Sequence, residues 1–219
     1  LSGYQYVAVK MPKDKVSVNP NMVIMNEIDT ADTENVIASK DLIALPQEKG
    51  FLVSSQVPAT GVSAGQKITK IDVQKTYGAE DFGDGQYVRY WQGVNYLNKT
   101  LSNNVDIYRA NADTAPVGPF NMLFDADRKL DTYDALRLLA YRGEGTKYDA
   151  NTKGNYAIGN ERQAECHVFE IRDNMPDALA TVQWQTMSRA EFSVYLPYYS
   201  NLLTDTSDIF KNEYYVNKK

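Results

Sequence analysis

The sequence predicts an α+β fold, because β-rich segments stand near both ends of the chain and helical patterns fill about a hundred residues between them. Apolar and aromatic residues alternate along residues 4–9, which is typical of a strand. Residues 131–145 combine a helix-capping residue, an apolar stripe and a terminating glycine. Residues 165–187 contain two β-rich runs separated by a turn. Because 219 residues can bury a substantial core, residues 1–219 are expected to form a single domain.

The N-terminal region is predicted to contain three short strands in a meander. The first strand covers residues 4–9 and is broken at Pro12. A second strand covers residues 15–18 and is followed by a turn at residues 19–21. The β-branched run at residues 22–28 predicts the third strand.

Helical signals begin after this region. Residues 29–52 carry Asp and Thr start signals and spaced apolar residues, which predicts one or two short helices that stop near Pro46 and Gly50. Residues 66–78 fit a short helix and a short strand equally well. Residues 87–101 place apolar and aromatic side chains near helical spacing, so a helix is expected there.

The strongest helical pattern of the chain precedes the C-terminal strands. Asp131 or Thr132 is expected to cap this helix, and Arg142 and Gly143 are expected to end it. Strand signals then return. The β-rich runs are residues 155–163, 165–172, 179–187 and 193–199.

Composition and charge exclude some classes of function. The net charge is -5 and both signs are mixed along the chain, which argues against nucleic acid as the main partner because phosphate binding needs a concentrated basic face. No segment approaches the roughly 20 apolar residues of a membrane span, so no membrane association is expected. One cysteine cannot form an internal disulfide, which fits a reducing, cytoplasmic location.

Cys166 and His167 are neighbours, which raises the question of a catalytic cysteine–histidine pair. In a strand, successive side chains point to opposite faces, whereas a nucleophile and its base must approach within about 3 Å. Cys166 is therefore predicted to be a buried, unreactive residue. His167 is predicted to be a hydrogen-bonded structural histidine, and no G-x-S-x-G motif supports a serine triad built on it.

Two further patterns were weighed against simpler explanations. Residues 149–154 resemble the start of a calcium loop, but Lys153 stands where a ligand is required and Asn160 replaces the Glu of the twelfth position, so a turn without a metal is predicted. The 16 tyrosines are compatible with a carbohydrate-binding surface, but half-buried strand and helix side chains are the favoured interpretation. A non-enzymatic surface or carbohydrate-binding module therefore stays open as an alternative function.

Several stretches together resemble the dipeptidases of peptidase family C69, formerly U34. "GYQYVAVKMPKD", "VNPN" and "NEIDTADTENVIASKDLI" resemble consecutive strands and a loop of that family. "YRGEGTKYD" resembles its R-x-x-Y-E-G-T-x-Y-D motif, with "RGEGT" in place of the family's "xYEGT". "ERQAECHVFEIRDNMPDALATVQWQ" resembles its R-T-x-E-x-H strand pair, and the matches occur in the family's order.

This resemblance implies a fold and a chemistry. The family are N-terminal-nucleophile (Ntn) hydrolases, so the chain is expected to form part of an αββα sandwich of antiparallel sheets with a helical middle segment. The implied reaction is hydrolysis of dipeptides. The thiol of an N-terminal cysteine attacks the carbonyl, the free α-amino group acts as base, and oxyanion donors stabilise the tetrahedral intermediate. The resemblance implies no cofactor and no metal.

The sequence departs from the family pattern at its start. Leu1 stands where a nucleophile would be needed, and the family's C-T start does not occur in this chain. The chain is therefore expected to be the middle and later part of a longer dipeptidase, with the missing N-terminal portion as its partner. Alone it is expected to be inactive. Unpaired strand edges are also expected to favour homo-oligomer formation.

The resemblance implies three site residues, each with a simpler alternative. Asn21 matches a family asparagine and is expected to donate to the oxyanion, or else is a turn residue after Pro20; Asn26 is the nearby alternative donor. Arg162 matches the family's R-T-x-E-x-H arginine and is expected to bind the substrate carboxylate or steady the nucleophile, or else is an exposed strand residue. Glu144 is expected to bind the substrate amine, or else to fix its loop.

Overall fold

The computed structural model describes residues 4–58, 66–107, 118–154, 156–199 and 201–205, and these form two compact units. Unit 1 comprises residues 1–129 and 143–157, and unit 2 comprises residues 130–142 and 158–219. Both units mix helices with antiparallel strands, which confirms the predicted α+β class. No helix in the described part of the chain is long and apolar enough to cross a membrane.

Unit 1 contains two small antiparallel sheets. In the first, β1 (Val7–Val9) pairs with β3 (Val36–Ala38). In the second, β2 (Glu27–Asp29) pairs with β4 (Lys70–Asp72). A core of four buried residues lies beside both sheets. Its members are Ile28, Leu42, Ile71 and Val73.

Helices supply much of the remaining core of unit 1. The long helix α3 (Asp84–Leu97) buries aromatic and aliphatic residues, including Tyr90 and Val94, which are both fully buried. Gly93 is the point of this helix that lies against Val18. A Cβ at position 93 would lie 2.5 Å from the nearest Val18 methyl, so a larger residue would collide there. Four shorter helices accompany α3. They are α1 (Ala44–Lys49), α2 (Val73–Tyr77), α4 (Lys99–Ser102) and α6 (Ala150–Lys153).

Unit 2 is a three-stranded antiparallel sheet with one packed helix. The strand order is β5 (Glu165–Ile171), β6 (Thr181–Met187) and β7 (Leu196–Tyr198). Helix α5 (Thr132–Ala140) contacts β5 and begins with a capping box formed by Asp131 and Asp134. The predicted cap and the predicted β5 and β6 strands are confirmed.

Several predictions for the N-terminal half are wrong. Residues 15–18 form no strand beyond a single bridge between Val16 and Phe124, and the predicted meander does not form because β1 and β2 pair with strands later in the chain. Residues 36–38 are strand β3, although a helix was predicted. Pro46 lies inside α1 and does not end it, since the first helical turn needs no intrahelical N–H donors.

Other local predictions are corrected in detail. Residues 66–78, which fitted two structures, contain both, because β4 leads directly into α2 and Asp72 caps that helix. The described residues of 156–163 form turns where a strand was predicted. The predicted turn at residues 149–154 is the one-turn helix α6, capped by Asp149.

Candidate functional site

The main candidate site in unit 1 is an apolar groove of about 370 Å³. Four separate segments line it, including strand β1 and residues 22–25. Most of its side chains are aliphatic or methionine, with only two polar residues, which is typical of pockets that exclude water from a ligand. This groove is lined by Val7, Val9, Met11, Ser17, Asn19, Met22, Val23, Ile24, Met25, Val73, Met122 and Leu123.

Asn21 lies in a bend beside this groove and does not itself line it. Its sequence neighbours Asn19 and Met22 belong to the groove, and Met22 is buried. The backbone N–H of Asn21 donates to the Gln86 side chain over 3.1 Å, which anchors the bend to helix α3. The Asn21 side chain itself is exposed. The bend is thus held by its backbone while its amide stays accessible, which suits a hydrogen-bond donor for a ligand.

Asn26 has different surroundings. Its amide donates to the Gln74 side chain over 3.4 Å, and its carbonyl accepts from the Val73 N–H. It also lines a second cavity of about 530 Å³ that contains Phe82 and Phe120. Asn26 therefore lines a different cavity from the groove beside Asn21. Its amide is also bonded to helix α2 through Gln74.

Glu144 lies at the exposed tip of the loop of residues 143–149. Other residues fix the backbone of this loop. The buried Asp149 carboxylate accepts from the Gly145 N–H over 3.0 Å, and the Thr146 hydroxyl donates to the Gly143 carbonyl over 2.6 Å. Because these bonds already order the loop, the carboxylate of Glu144 extends from a fixed backbone.

Arg162 belongs to unit 2, whereas Asn21 and Glu144 belong to unit 1. It lies in a turn before β5, and not in a strand as the simpler alternative assumed. Its backbone N–H donates to the Asn160 side chain over 2.9 Å, and its side chain is exposed. The turn is therefore ordered, and the guanidinium is accessible to an anionic group.

Cys166 and His167 point to opposite faces of β5, as predicted. Cys166 is buried, and burial raises the pKa of its thiol, with the nearby Glu165 carboxylate adding to the effect. His167 is exposed and its Nδ1 lies 2.9 Å from the Glu165 carboxylate. A protonated, buried thiol is a poor nucleophile, so Cys166 is unsuited to covalent catalysis.

The groove was not predicted from the sequence. Its residues come from segments that lie far apart in the sequence, and most of them are ordinary apolar residues. Gln86, which anchors the Asn21 bend, lies on a helix more than sixty positions later and carries no motif. Only the resemblance of "VNPN" to a family motif pointed to this region.

Comparison with known proteins gives a family match and several similar proteins. The model of peptidase family C69 matches residues 1–217. The chain is 27% identical to a probable dipeptidase B of Streptococcus pyogenes serotype M1, with 92% of this chain and 39% of that protein covered. It is 26% identical to a probable dipeptidase of Latilactobacillus sakei, with 96% and 41% covered. A probable dipeptidase of Salmonella dublin is 24% identical, with 92% and 43% covered. The chain thus spans about two fifths of the length of these relatives.

Proposed function

Because this chain belongs to peptidase family C69, we propose that it forms the middle and later part of a dipeptidase that hydrolyses the peptide bond of dipeptides. The names of the relatives support this proposal, since each is described as a probable dipeptidase. Family membership also favours a peptidase over a surface or carbohydrate-binding module. A cytoplasmic location stays a prediction that rests on cysteine content.

The proposed nucleophile is an N-terminal cysteine supplied by polypeptide outside this chain. Its thiol attacks the carbonyl carbon of the dipeptide and its α-amino group accepts the thiol proton. The same proton then passes to the leaving amine, and water hydrolyses the resulting thioester. The burial and raised thiol pKa of Cys166 support a nucleophile from elsewhere. We further propose that the complete protein forms the αββα Ntn sandwich.

Three residues of this chain are proposed to act in that reaction. Asn21 donates its amide N–H to the oxyanion, and the observation that carries this role is its exposed amide on a bend held by Gln86. Arg162 binds the substrate carboxylate or steadies the nucleophile, which its exposed guanidinium supports. Glu144 binds the substrate amine from its fixed loop.

A chimera tests the proposal. This chain replaces the matched region of the Streptococcus pyogenes probable dipeptidase B, and hydrolysis of a series of dipeptides is measured. Asn21→Ala is expected to lower kcat by about 10²-fold, the usual cost of one lost oxyanion donor. Asn26→Ala is the matched control and is expected to leave kcat within about twofold, because its amide bonds to Gln74.

The same assay tests Arg162. Arg162→Ala is expected to lower turnover by at least about tenfold if its charge meets the substrate or nucleophile. Arg137→Ala removes another exposed arginine of unit 2 and is expected to change little. An unchanged rate for both Asn21→Ala and Arg162→Ala, in folded protein, would remove them from the catalytic site. Absence of dipeptide hydrolysis by a folded chimera would contradict the proposed function itself.

A further inference from the structure

Within the described part of the chain, strand β1 pairs on one side only, and its other backbone edge has no strand partner. The Ser39 N–H donates to the Tyr6 carbonyl over 2.9 Å, and the Lys10 N–H donates to the Asn35 carbonyl over 2.7 Å. In an antiparallel pair, alternate residues share these bonds, so Tyr6, Ala8 and Lys10 face β3. The backbone groups of the residues between them, Val7 and Val9, therefore point away from β3. Both of these valines line the groove.

Residues 22–25 form a second open edge. Their side chains alternate between buried and half-buried, as in an extended chain. Within the described part of the chain, the backbone groups of Val23 and Ile24 bond to no other residue. The segment is nevertheless held in place, because the Met25 carbonyl accepts from the Gln74 N–H over 2.8 Å. It is thus a fixed extended segment without a strand partner.

The side chains beneath these edges are already packed. Val7, Val9, Val23 and Met25 all contact the core cluster that includes Val73. An unpaired backbone group that becomes buried costs about 1–3 kcal/mol, so neither edge could be covered by apolar side chains alone. A ligand that suits this groove must supply apolar side chains and backbone hydrogen bonds together. An extended polypeptide segment does both.

We propose that the groove binds an extended segment, with apolar side chains at alternate positions, from the portion of a C69 polypeptide that lies outside this chain. This inference rests on the proposed function, because it takes the chain as part of such a protein. The lengths of the relatives support the choice of occupant, since more than half of each lies outside the region that this chain matches. The inserted segment pairs either with the edge of β1, which extends the β1–β3 sheet, or with the edge of residues 22–25.

The proposal places the incoming segment beside Asn21. Asn19 and Met22, which flank Asn21 in the sequence, line the groove, so the segment that fills the groove passes near the exposed Asn21 amide. The docking contact therefore also positions external polypeptide against a proposed oxyanion donor.

Thiol labelling of the groove tests this inference. Met122→Cys places a thiol in the groove and Asp14→Cys places one on an exposed turn, both in a Cys166→Ala background. Each variant is prepared in this chain alone and in the Streptococcus pyogenes chimera described above. Alkylation by iodoacetamide is followed by mass spectrometry of the peptide that carries the new thiol. Labelling of Met122→Cys is expected to be at least about tenfold slower in the chimera, whereas Asp14→Cys changes little.

A photo-crosslinking residue at Met11, also in the groove, identifies the occupant. Crosslinks to the Streptococcus pyogenes part of the same molecule are expected. Crosslinks between two copies of the chimera, or equal labelling of Met122→Cys in both proteins, would overturn the proposal.

If the chimera does not fold, co-expression of this chain with the remaining Streptococcus pyogenes polypeptide decides the question. Co-purification that Leu123→Glu abolishes supports docking, and no co-purification overturns it.

The labelling result and dipeptide hydrolysis are separate measurements. A protected groove in a folded chimera without hydrolysis keeps the docking inference and contradicts the proposed function. Hydrolysis with an unprotected groove keeps the function and contradicts the docking inference.

Discussion

At the scale of single residues, burial decides which side chains are available for chemistry. Cys166 and His167 are adjacent in sequence, yet one is buried and the other is exposed. The alternation of β5 determines this difference, and it was predictable because the period of a strand is two residues. The sequence could not predict the neighbours of the thiol. Tyr195 is half-buried beside Cys166 with its hydroxyl oxygen inside, and burial raises the pKa of that hydroxyl as well.

The raised thiol pKa of Cys166 predicts how stability depends on pH. In the unfolded chain the thiol ionises near its ordinary pKa, whereas the folded protein holds it neutral to higher pH. Between those two pKa values the unfolded state binds fewer protons, so the free energy of unfolding falls as pH rises. Urea unfolding between about pH 7 and about pH 10 is expected to show a larger loss for wild type than for Cys166→Ala.

Cys166 also raises the pKa of Tyr195, so both proteins are compared in a Tyr195→Phe background, where the difference between their two pH profiles isolates Cys166. Parallel profiles for wild type and Cys166→Ala would mean that the thiol ionises equally easily in the folded and unfolded chain. That result would reopen Cys166 as a reactive residue.

At the scale of elements, local patterns predicted what local forces determine. Helix α5 was predicted because its capping residue and apolar stripe lie within one short segment, and β5 and β6 because each is long and alternating. Strand β3 was missed because Val36–Ala38 is only three residues long and its partner β1 lies far away in the sequence. The helix-start signals around it, Asp and Thr, are also turn signals. Short strands of this kind depend on tertiary pairing, which periodicity does not reveal.

The loop of residues 143–149 offers a matched pair of glycines that separates backbone strain from crowding. Gly143 and Gly145 have nearly equal positive φ values, 74° and 73°. A Cβ on Gly143 would lie 2.7 Å from the Tyr148 carbonyl oxygen and 2.9 Å from Nε2 of Gln92, whereas a Cβ on Gly145 would meet nothing within 4 Å. Gln92 is fully buried and donates to the carbonyls of Tyr148 and Tyr156, so it has little freedom to move away.

Gly145→Ala is therefore expected to cost about 1 kcal/mol, the penalty of a left-handed conformation for alanine. Gly143→Ala is expected to cost at least about 2 kcal/mol more, because it also disrupts the bonds of the buried Gln92. Chemical denaturation of the two variants measures the difference. Equal destabilisation would show that the loop relaxes away from α3 without loss.

At the scale of the whole molecule, unit 2 exposes apolar side chains on a strand at the edge of its sheet. The outer face of β5 presents Phe169 and Ile171, which are 57% and 79% exposed. The opposite face of the same strand packs against α5, and β5 has no strand neighbour on its outer side among the described residues. Edge strands with exposed apolar side chains promote association between chains. The net charge of -5 opposes this association only weakly at physiological salt, because screening shortens the range of repulsion.

We therefore expect this chain alone to self-associate through β5. Ile171→Lys is expected to weaken that association by about tenfold or more, because it places a charge on the exposed face of the edge strand. Tyr133→Lys is the matched control, because Tyr133 is also an exposed apolar side chain of unit 2 but lies on helix α5, away from a strand edge. Sedimentation velocity over a range of protein concentrations measures both variants against wild type. Equal weakening by the two substitutions would attribute the association to general surface hydrophobicity. A monomeric wild type at all concentrations would show that β5 is protected within the chain itself, and the expectation of a homo-oligomer would then be wrong.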